Sequence, residues 1–194
     1  VDGATIYLKQ GDTDSYIPTH DGWGEYQTTK TFYDSYDPSD KRKTELIVNK
    51  VYRADGTVNA QYPETLAYPF CRKYIDPHFD GDKTSTRPFL IRYSDVALVY
   101  AEAMGPTAKS YELVNFIRHR AGLGSLSPNL SKEEFRKAVI RERKYELAFE
   151  GDYMYDIRRT NKINEIPEAQ SLGEYQTVFY PIPQAEINLN PSLR

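Results

Sequence analysis

Residues 131–150 read SKEEFRKAVIRERKYELAFE, and this stretch decides the fold class. It holds neither Gly nor Pro. Ser131 and, three residues on, Glu134 form a capping box, in which each side chain satisfies an orphan amide of the first turn. Gly151 supplies the stop. A helix is therefore predicted over 131–150. Working outward, Phe89 to Met104 (FLIRYSDVALVYAEAM) also lacks Gly and Pro, and Gly105-Pro106 ends it. Its Leu90, Tyr93, Val96, Ala97, Tyr100, Ala101 and Met104 follow helical spacing. Thr107 to Ala121 (TAKSYELVNFIRHRA) is a further helix, closed by Gly122 and Gly124. The tight Gly-Pro link makes these two a helical hairpin of the kind that stacks in solenoids. A shorter helical turn is expected over Asp152–Arg159.

The remainder has another texture. Residues 1–88 are rich in Gly, Pro, Asp and Tyr, with little sustained periodicity. Glu45-Leu46-Ile47-Val48 and Lys50-Val51-Tyr52-Arg53 read as strand pieces, followed by the turn signal Ala54-Asp55-Gly56-Thr57. One hairpin is expected. From Asn161 the chain reads as extended. Tyr180-Pro181-Ile182-Pro183 cannot lie inside a helix, because two prolines remove donors and block the turn. Asn190-Pro191 is a turn. The expected organisation is a loop-rich region over 1–88 and a helical region over 89–194, mainly α in class.

Composition excludes several functions. The 194 residues carry a net charge of -3 and a pI near 5.7, and no basic cluster outweighs its acidic neighbours, which argues against nucleic acid. Mean hydropathy is -0.69, but the 27% charged residues are balanced in sign, so disorder is not the natural reading. No apolar run reaches the ~18–20 residues that span a bilayer. Cys71 stands alone, so no internal disulfide is possible. The chain begins at Val1, which suggests a fragment whose leader lies outside it. The unusual feature is 17 Tyr against 8 Phe and 1 Trp. Tyr joins an apolar ring to a polar tip and suits binding faces as well as a polar shell.

Glu142, Glu146 and Glu150 lie at i, i+4 and i+8 on one helix face beside Val139, Ile140, Leu147, Ala148 and Phe149. Like charges at that spacing repel, so the stripe needs cations from elsewhere. Arg92, Arg118, Arg120, Arg158 and Arg159 are the candidates, and a half-buried Arg–Glu network between helices is expected. Asp95, Glu102 and Asp156 are expected to join it. A di-metal carboxylate site would need Glu-x-x-His pairs, but His119 has Phe116 three residues before it. No nucleophile elbow, P-loop, dinucleotide fingerprint or zinc-protease helix occurs. No catalytic residue, metal or cofactor is expected.

Four elements then stand in order: Arg92-Tyr93-Ser94-Asp95-Val96 running into Tyr100-Ala101-Glu102-Ala103; Asn115-Phe116-Ile117-Arg118-His119-Arg120-Ala121-Gly122-Leu123; Glu142 to Gly151 with Asp156-Ile157-Arg158-Arg159; and Tyr180-Pro181-Ile182-Pro183-Gln184-Ala185-Glu186-Ile187 with Asn190-Pro191. Together they resemble the C-terminal part of the SusD/RagB family. Gly22-Trp23-Gly24 and Tyr36-Asp37-Pro38-Ser39-Asp40-Lys41-Arg42 are similar to further family stretches. Thr160 departs from the pattern, which often has Trp there, and the usual Gln-Asn-Pro-Gly-Tyr ending is not found. The resemblance implies a non-enzymatic lipoprotein on the outer face of a Gram-negative bacterium, anchored through a lipid outside this chain. It implies tetratricopeptide-like hairpins, with many in an N-terminal part beyond this chain. It implies a SusC-like TonB-dependent barrel transporter as partner, and a glycan or, in some members, a peptide as ligand.

Sugars present an apolar ring face and a belt of hydroxyls, so a site needs aromatic platforms beside hydrogen-bonding side chains. The richest stretch is 16–36, and Asp21, Trp23, Tyr26, Gln27, Tyr33 and Tyr36 are the candidate ligand-binding residues. Trp23 between two glycines also suits a buried loop anchor. A second candidate set is Tyr62, Tyr68 and Tyr74. Besides glycan capture, a protein-only helical adaptor and a glycosidase remain as readings of the residues.

Overall fold

The computed structural model describes residues 5–10, 13–20, 27–76, 78, 80, 83–163, 182–190 and 192. In chain order its elements are β1 (Thr5–Lys9), β2 (Tyr16–His20), α1 (Lys30–Asp34), α2 (Arg42–Glu45), β3 (Ile47–Val48), β4 (Lys50–Tyr52), β5 (Val58–Gln61), β6 (Phe70–Cys71), α3 (Tyr93–Met104), α4 (Ala108–Arg120), α5 (Lys132–Glu146), α6 (Asp152–Arg159) and α7 (Gln184–Leu189). The class is mainly α with a minor sheet. The chain divides into two compact units, 1–150 and 151–194.

Helices α3, α4 and α5 share one apolar core of Ala97, Leu98, Ala101, Val114, Ile117, Phe135 and Val139. Small alanines on α3 let the helices approach, and Phe135 fills the gap, its ring 4.8 Å from that of Tyr111 and tilted by 58°. Thr107 caps α4 by accepting from Ser110 N, and Ser131 and Glu134 form the predicted capping box on α5. Gly105 takes φ +71 and ends α3.

Two helix ends differ from expectation. Helix α3 begins at Tyr93, not Phe89: Arg92 is extended at φ -139 and ψ 164. Leu90 and Ile91 are 91% and 76% exposed, so helical spacing there marks no buried face. Helix α5 stops at Glu146, not Glu150. Lys73 donates to the carbonyls of Glu146 and Ala148 and Arg92 to that of Glu146, replacing the next helical turn with side-chain donors. Phe149 then turns at φ +67, and Gly151, at φ +92, caps α6 instead of ending α5.

More strand forms than the single hairpin expected. A four-stranded antiparallel sheet runs β2-β1-β4-β5, and β3 pairs with β6. Ile6, Leu8, Val51 and Ala60 face one side and form a second core with Val48. In the β4–β5 turn Asp55 accepts from Thr57 N and Oγ1, and Gly56 sits at φ +81. A Cβ on Gly56 would lie 2.9 Å from a ring carbon of Tyr16. A third cluster, Tyr36, Ile47 and Tyr145 with Phe32 and Phe149, packs beside α5.

In the second unit, α6 matches its predicted span. The expected extended tail instead contains α7, which starts directly after Pro183, where a proline needs no amide partner. Tyr180, Pro181 and Pro191 lie outside the described residues.

Candidate functional site

The aromatic candidates separate into distinct places. Asp21, Trp23 and Tyr26 lie outside the described residues. Gln27 is exposed and joins Phe70 through a backbone bridge. Tyr33, on α1, is half-buried; Asn49 Nδ2 donates to its hydroxyl at 2.8 Å, and Lys43 Nζ stands 4.7 Å from its ring centre. The Tyr62 ring meets it at 5.7 Å and 75°. One residue from each candidate aromatic set is thus brought together, with a cation and an amide that sequence reading did not name. Tyr36 is elsewhere in role. It is 2% exposed, packed at 4.6 Å on Tyr145 and edge-on to Phe32. Burial pushes its hydroxyl well above the usual range. It offers no ring face to a sugar, which corrects its place among the ligand residues. Tyr74 donates to the Phe149 carbonyl and belongs to the α5 end. Tyr68 is half-buried.

A second group of side chains forms the ionic network. Glu142 accepts from Arg118 at 3.1 Å and forms a close ion pair with Arg42, Nη1 to Oε1 2.7 Å, without linear hydrogen-bond geometry. Glu146 meets Arg92 at 2.7 Å, Arg42 at 3.3 Å, and Arg120. Glu150 accepts from Arg92 at 2.8 Å and pairs with Lys73. Arg143 reaches Asp95 at 2.6 Å, and Arg136 reaches Glu102 at 3.2 Å. Arg42 forks onto Asp40 through Nε and Nη2. In the second unit Asp156 pairs with Arg159, one turn away on α6; Arg158 is half-buried on the same helix. Arg42, Asp40, Lys73, Arg136 and Arg143 were missed in the sequence. For Asp40 and Arg42 the signal was the Asp-x-Arg spacing at 40–42, which carries no hint of a partner 100 positions on.

Electrostatics follow from this packing. Burial alone would raise the Glu146 carboxyl, but Arg120 and Arg92 hold it down at about 2. Burial lowers the Lys73 ammonium, with Glu150 opposing, and raises the Cys71 thiol. A glycosidase acid needs a carboxyl kept protonated near neutrality. Glu146 is held in the opposite state, and all three glutamates are engaged by guanidinium or ammonium groups. The Asn115 motif also resolves into structure: Asn115 Oδ1 accepts from Leu126 N, and Arg118 donates to the Gly124 carbonyl, pinning the loop between α4 and α5.

Residues 3–194 match the model of the SusD family. The chain belongs to the SusD family. A curated relative, SusD-like protein P2 of Formosa agariphila, is 29% identical over 210 residues, covering 89% of this chain and 40% of P2. The crystal structure of a SusD superfamily protein from Parabacteroides distasonis superposes with a TM-score of 0.63 at 25% identity, covering 91% of this chain and 41% of that one. A laminarin-binding SusD-like protein also gives 0.63 at 25% identity, over 89% of this chain and 36% of its own. The chain therefore spans about two fifths of the length of SusD relatives it matches. Three of the motifs, at 92–103, 115–123 and 142–159, map onto the ionic network and loop pins, so these three serve the scaffold.

Proposed function

We propose that this chain is part of a cell-surface glycan-binding protein that captures oligosaccharides and delivers them to a TonB-dependent outer-membrane transporter. The observation that carries this is SusD-family membership over residues 3–194, joined to a fold shared at 25% identity with a SusD-like protein that binds laminarin. The protein binds and does not catalyse, and a lipid anchor outside this chain holds it at the outer membrane. Ligand contacts are assigned to Tyr33 with Gln27, and to Asp21, Trp23 and Tyr26 in the adjoining stretch. Tyr33 with Tyr62, Asn49 and Lys43 supplies the mixture of ring, amide and cation that saccharides engage.

Calorimetric titration of the full-length protein against a panel of soluble oligosaccharides tests this, with Trp23→Ala and Tyr33→Ala alongside. Binding of one glycan class, weakened in either variant, is expected. Binding of peptides alone, or of no small ligand, overturns glycan capture.

A further inference from the structure

The β2-β1-β4-β5 sheet has one face on its aliphatic core, and antiparallel sheets of this kind usually present plain polar residues on the other. Here the outer face is ordered into two rows. Cross-strand partners share a face, and Tyr7 stands opposite Pro18 on β2 and Tyr52 on β4, while Tyr52 stands opposite Val58 on β5. Pro18, Tyr7, Tyr52 and Val58 therefore form an apolar row across all four strands, about 14 Å long at the usual strand spacing. Two residues along, about 7 Å away, Lys9 pairs with Tyr16 and Lys50 with Gln61. The register that sets Tyr7 against Tyr52 sets Lys9 against Lys50, so the second row reads Tyr16, Lys9, Lys50, Gln61. The Tyr16 and Tyr52 rings lie 5.0 Å apart, tying the rows together.

The charge on this face is one-sided. None of the paired outer positions is acidic. Lys50 makes no ion pair among the described residues. Lys9 is 3.9 Å from Asp14, a fully exposed carboxylate at the rim. Arg53, just past Tyr52, is exposed and donates to the Val58 carbonyl at 2.8 Å. Asp55, in the neighbouring turn, is engaged by Thr57. A ligand that fits has a flat C–H face for the tyrosines and, one step along, negative groups for two adjacent ammonium ions.

Resting on the glycan-capture function, we propose that this outer sheet face is a second saccharide platform, selective for acidic oligosaccharides. Sugar rings lie on Tyr7 and Tyr52, and a carboxylate or sulfate sits between Lys9 and Lys50. The face is built from strand residues, whose spacing is fixed by the sheet, and its Lys50–Gln61 pair adjoins Asn49 and Tyr62 of the Tyr33 surface along the chain.

The test is calorimetric titration of the full-length protein with an oligogalacturonate, a sulfated galactan oligosaccharide and a neutral laminari-oligosaccharide. Wild type, the double variant Lys9→Gln/Lys50→Gln, and Tyr52→Ala are compared, each checked by thermal melting. At least one acidic ligand is expected to bind, with affinity falling as salt rises from about 50 to about 300 mM. The double lysine variant should weaken it about tenfold or more with an unchanged melting temperature. The carboxylated and sulfated arms tell the two anions apart. Acidic binding untouched in both variants, or binding of the neutral ligand alone, overturns the platform and leaves glycan capture standing. No binding of any saccharide by wild type overturns both.

Discussion

Arg42 Nη1 lies 2.7 Å from Glu142 Oε1, joining the four-residue helix α2 to α5, the longest helix among the described residues. Both side chains are almost wholly buried, and Arg42 also serves Asp40 and Glu146. Burial disfavours its charge, but Asp40 and Glu142 outweigh that and raise its pKa. Removing the guanidinium strands three buried carboxylates with one cation fewer. Arg42→Ala should therefore cost about 3–5 kcal/mol, the usual penalty for breaking a buried ion pair. Urea denaturation reads this as a lower midpoint at constant slope. Arg42→Lys, which keeps charge but loses the fork, should fall between. A loss under about 1 kcal/mol for the alanine variant would show that the network is no keystone.

Glu146 gives the network a pH signature. Its carboxyl is held at about 2 against an ordinary value of 4.5. A depressed acid contributes stability that is full above the unfolded value and is lost as pH falls through the folded one. The loss should run from about pH 5 down to about pH 2, and amount to about 3 kcal/mol. Glu146→Gln should lower stability at pH 7 and flatten the acid limb over that window. An acid limb identical in the variant and the wild type would show that other carboxylates carry it.

Much of this fold was legible because helices announce themselves locally. The capping box at Ser131 and Glu134, and the Gly105-Pro106 break, act within one turn of the residues that encode them. Helix α6 was legible for the same reason. The ends of α3 and α5 were not, because Arg92 and Lys73 decide them, and these residues act across 54 to 75 positions of sequence. Strands β1 and β2 hide for a related reason. Thr5–Lys9 alternates, with Ile6 and Leu8 buried, but five residues are too few to stand out, and the pairing partner Tyr52 lies far along the chain. Among site residues, Tyr33 and Tyr36 look alike in sequence. Only packing shows that one is half-exposed beside Tyr62 and the other lies in the core.

The Ser131 cap is the simplest local contribution to check. Its Oγ accepts from Glu134 N at 3.3 Å, and its own amide donates to Glu134 Oε2 at 2.9 Å. Ser131→Ala should cost about 1 kcal/mol, and Ser131→Asp should restore most of it, since a carboxylate also suits a helix start. Thermal melts of the three proteins decide it; equal stabilities would mean that tertiary packing alone holds this turn.

Helix α3 is apolar on both sides. Ala97, Leu98 and Ala101 are buried in the three-helix core, while Tyr93, Val96, Val99, Tyr100 and Met104 are each at least two-fifths exposed. A contiguous exposed apolar face of this size is unusual on a soluble surface. If the outer face takes no part in this chain's own packing, Val96→Ser/Val99→Ser should change its stability by no more than about 0.5 kcal/mol per site. The same double variant should reduce hydrophobic-dye fluorescence and any concentration-dependent association seen by light scattering. Leu98→Ala is the contrasting substitution: it empties a fully buried site and should cost about 2–5 kcal/mol. A double variant as unstable as Leu98→Ala would place Val96 and Val99 inside the core. Unchanged dye binding would mean that the exposed apolar surface lies elsewhere, with Leu90 and Ile91 next to be substituted.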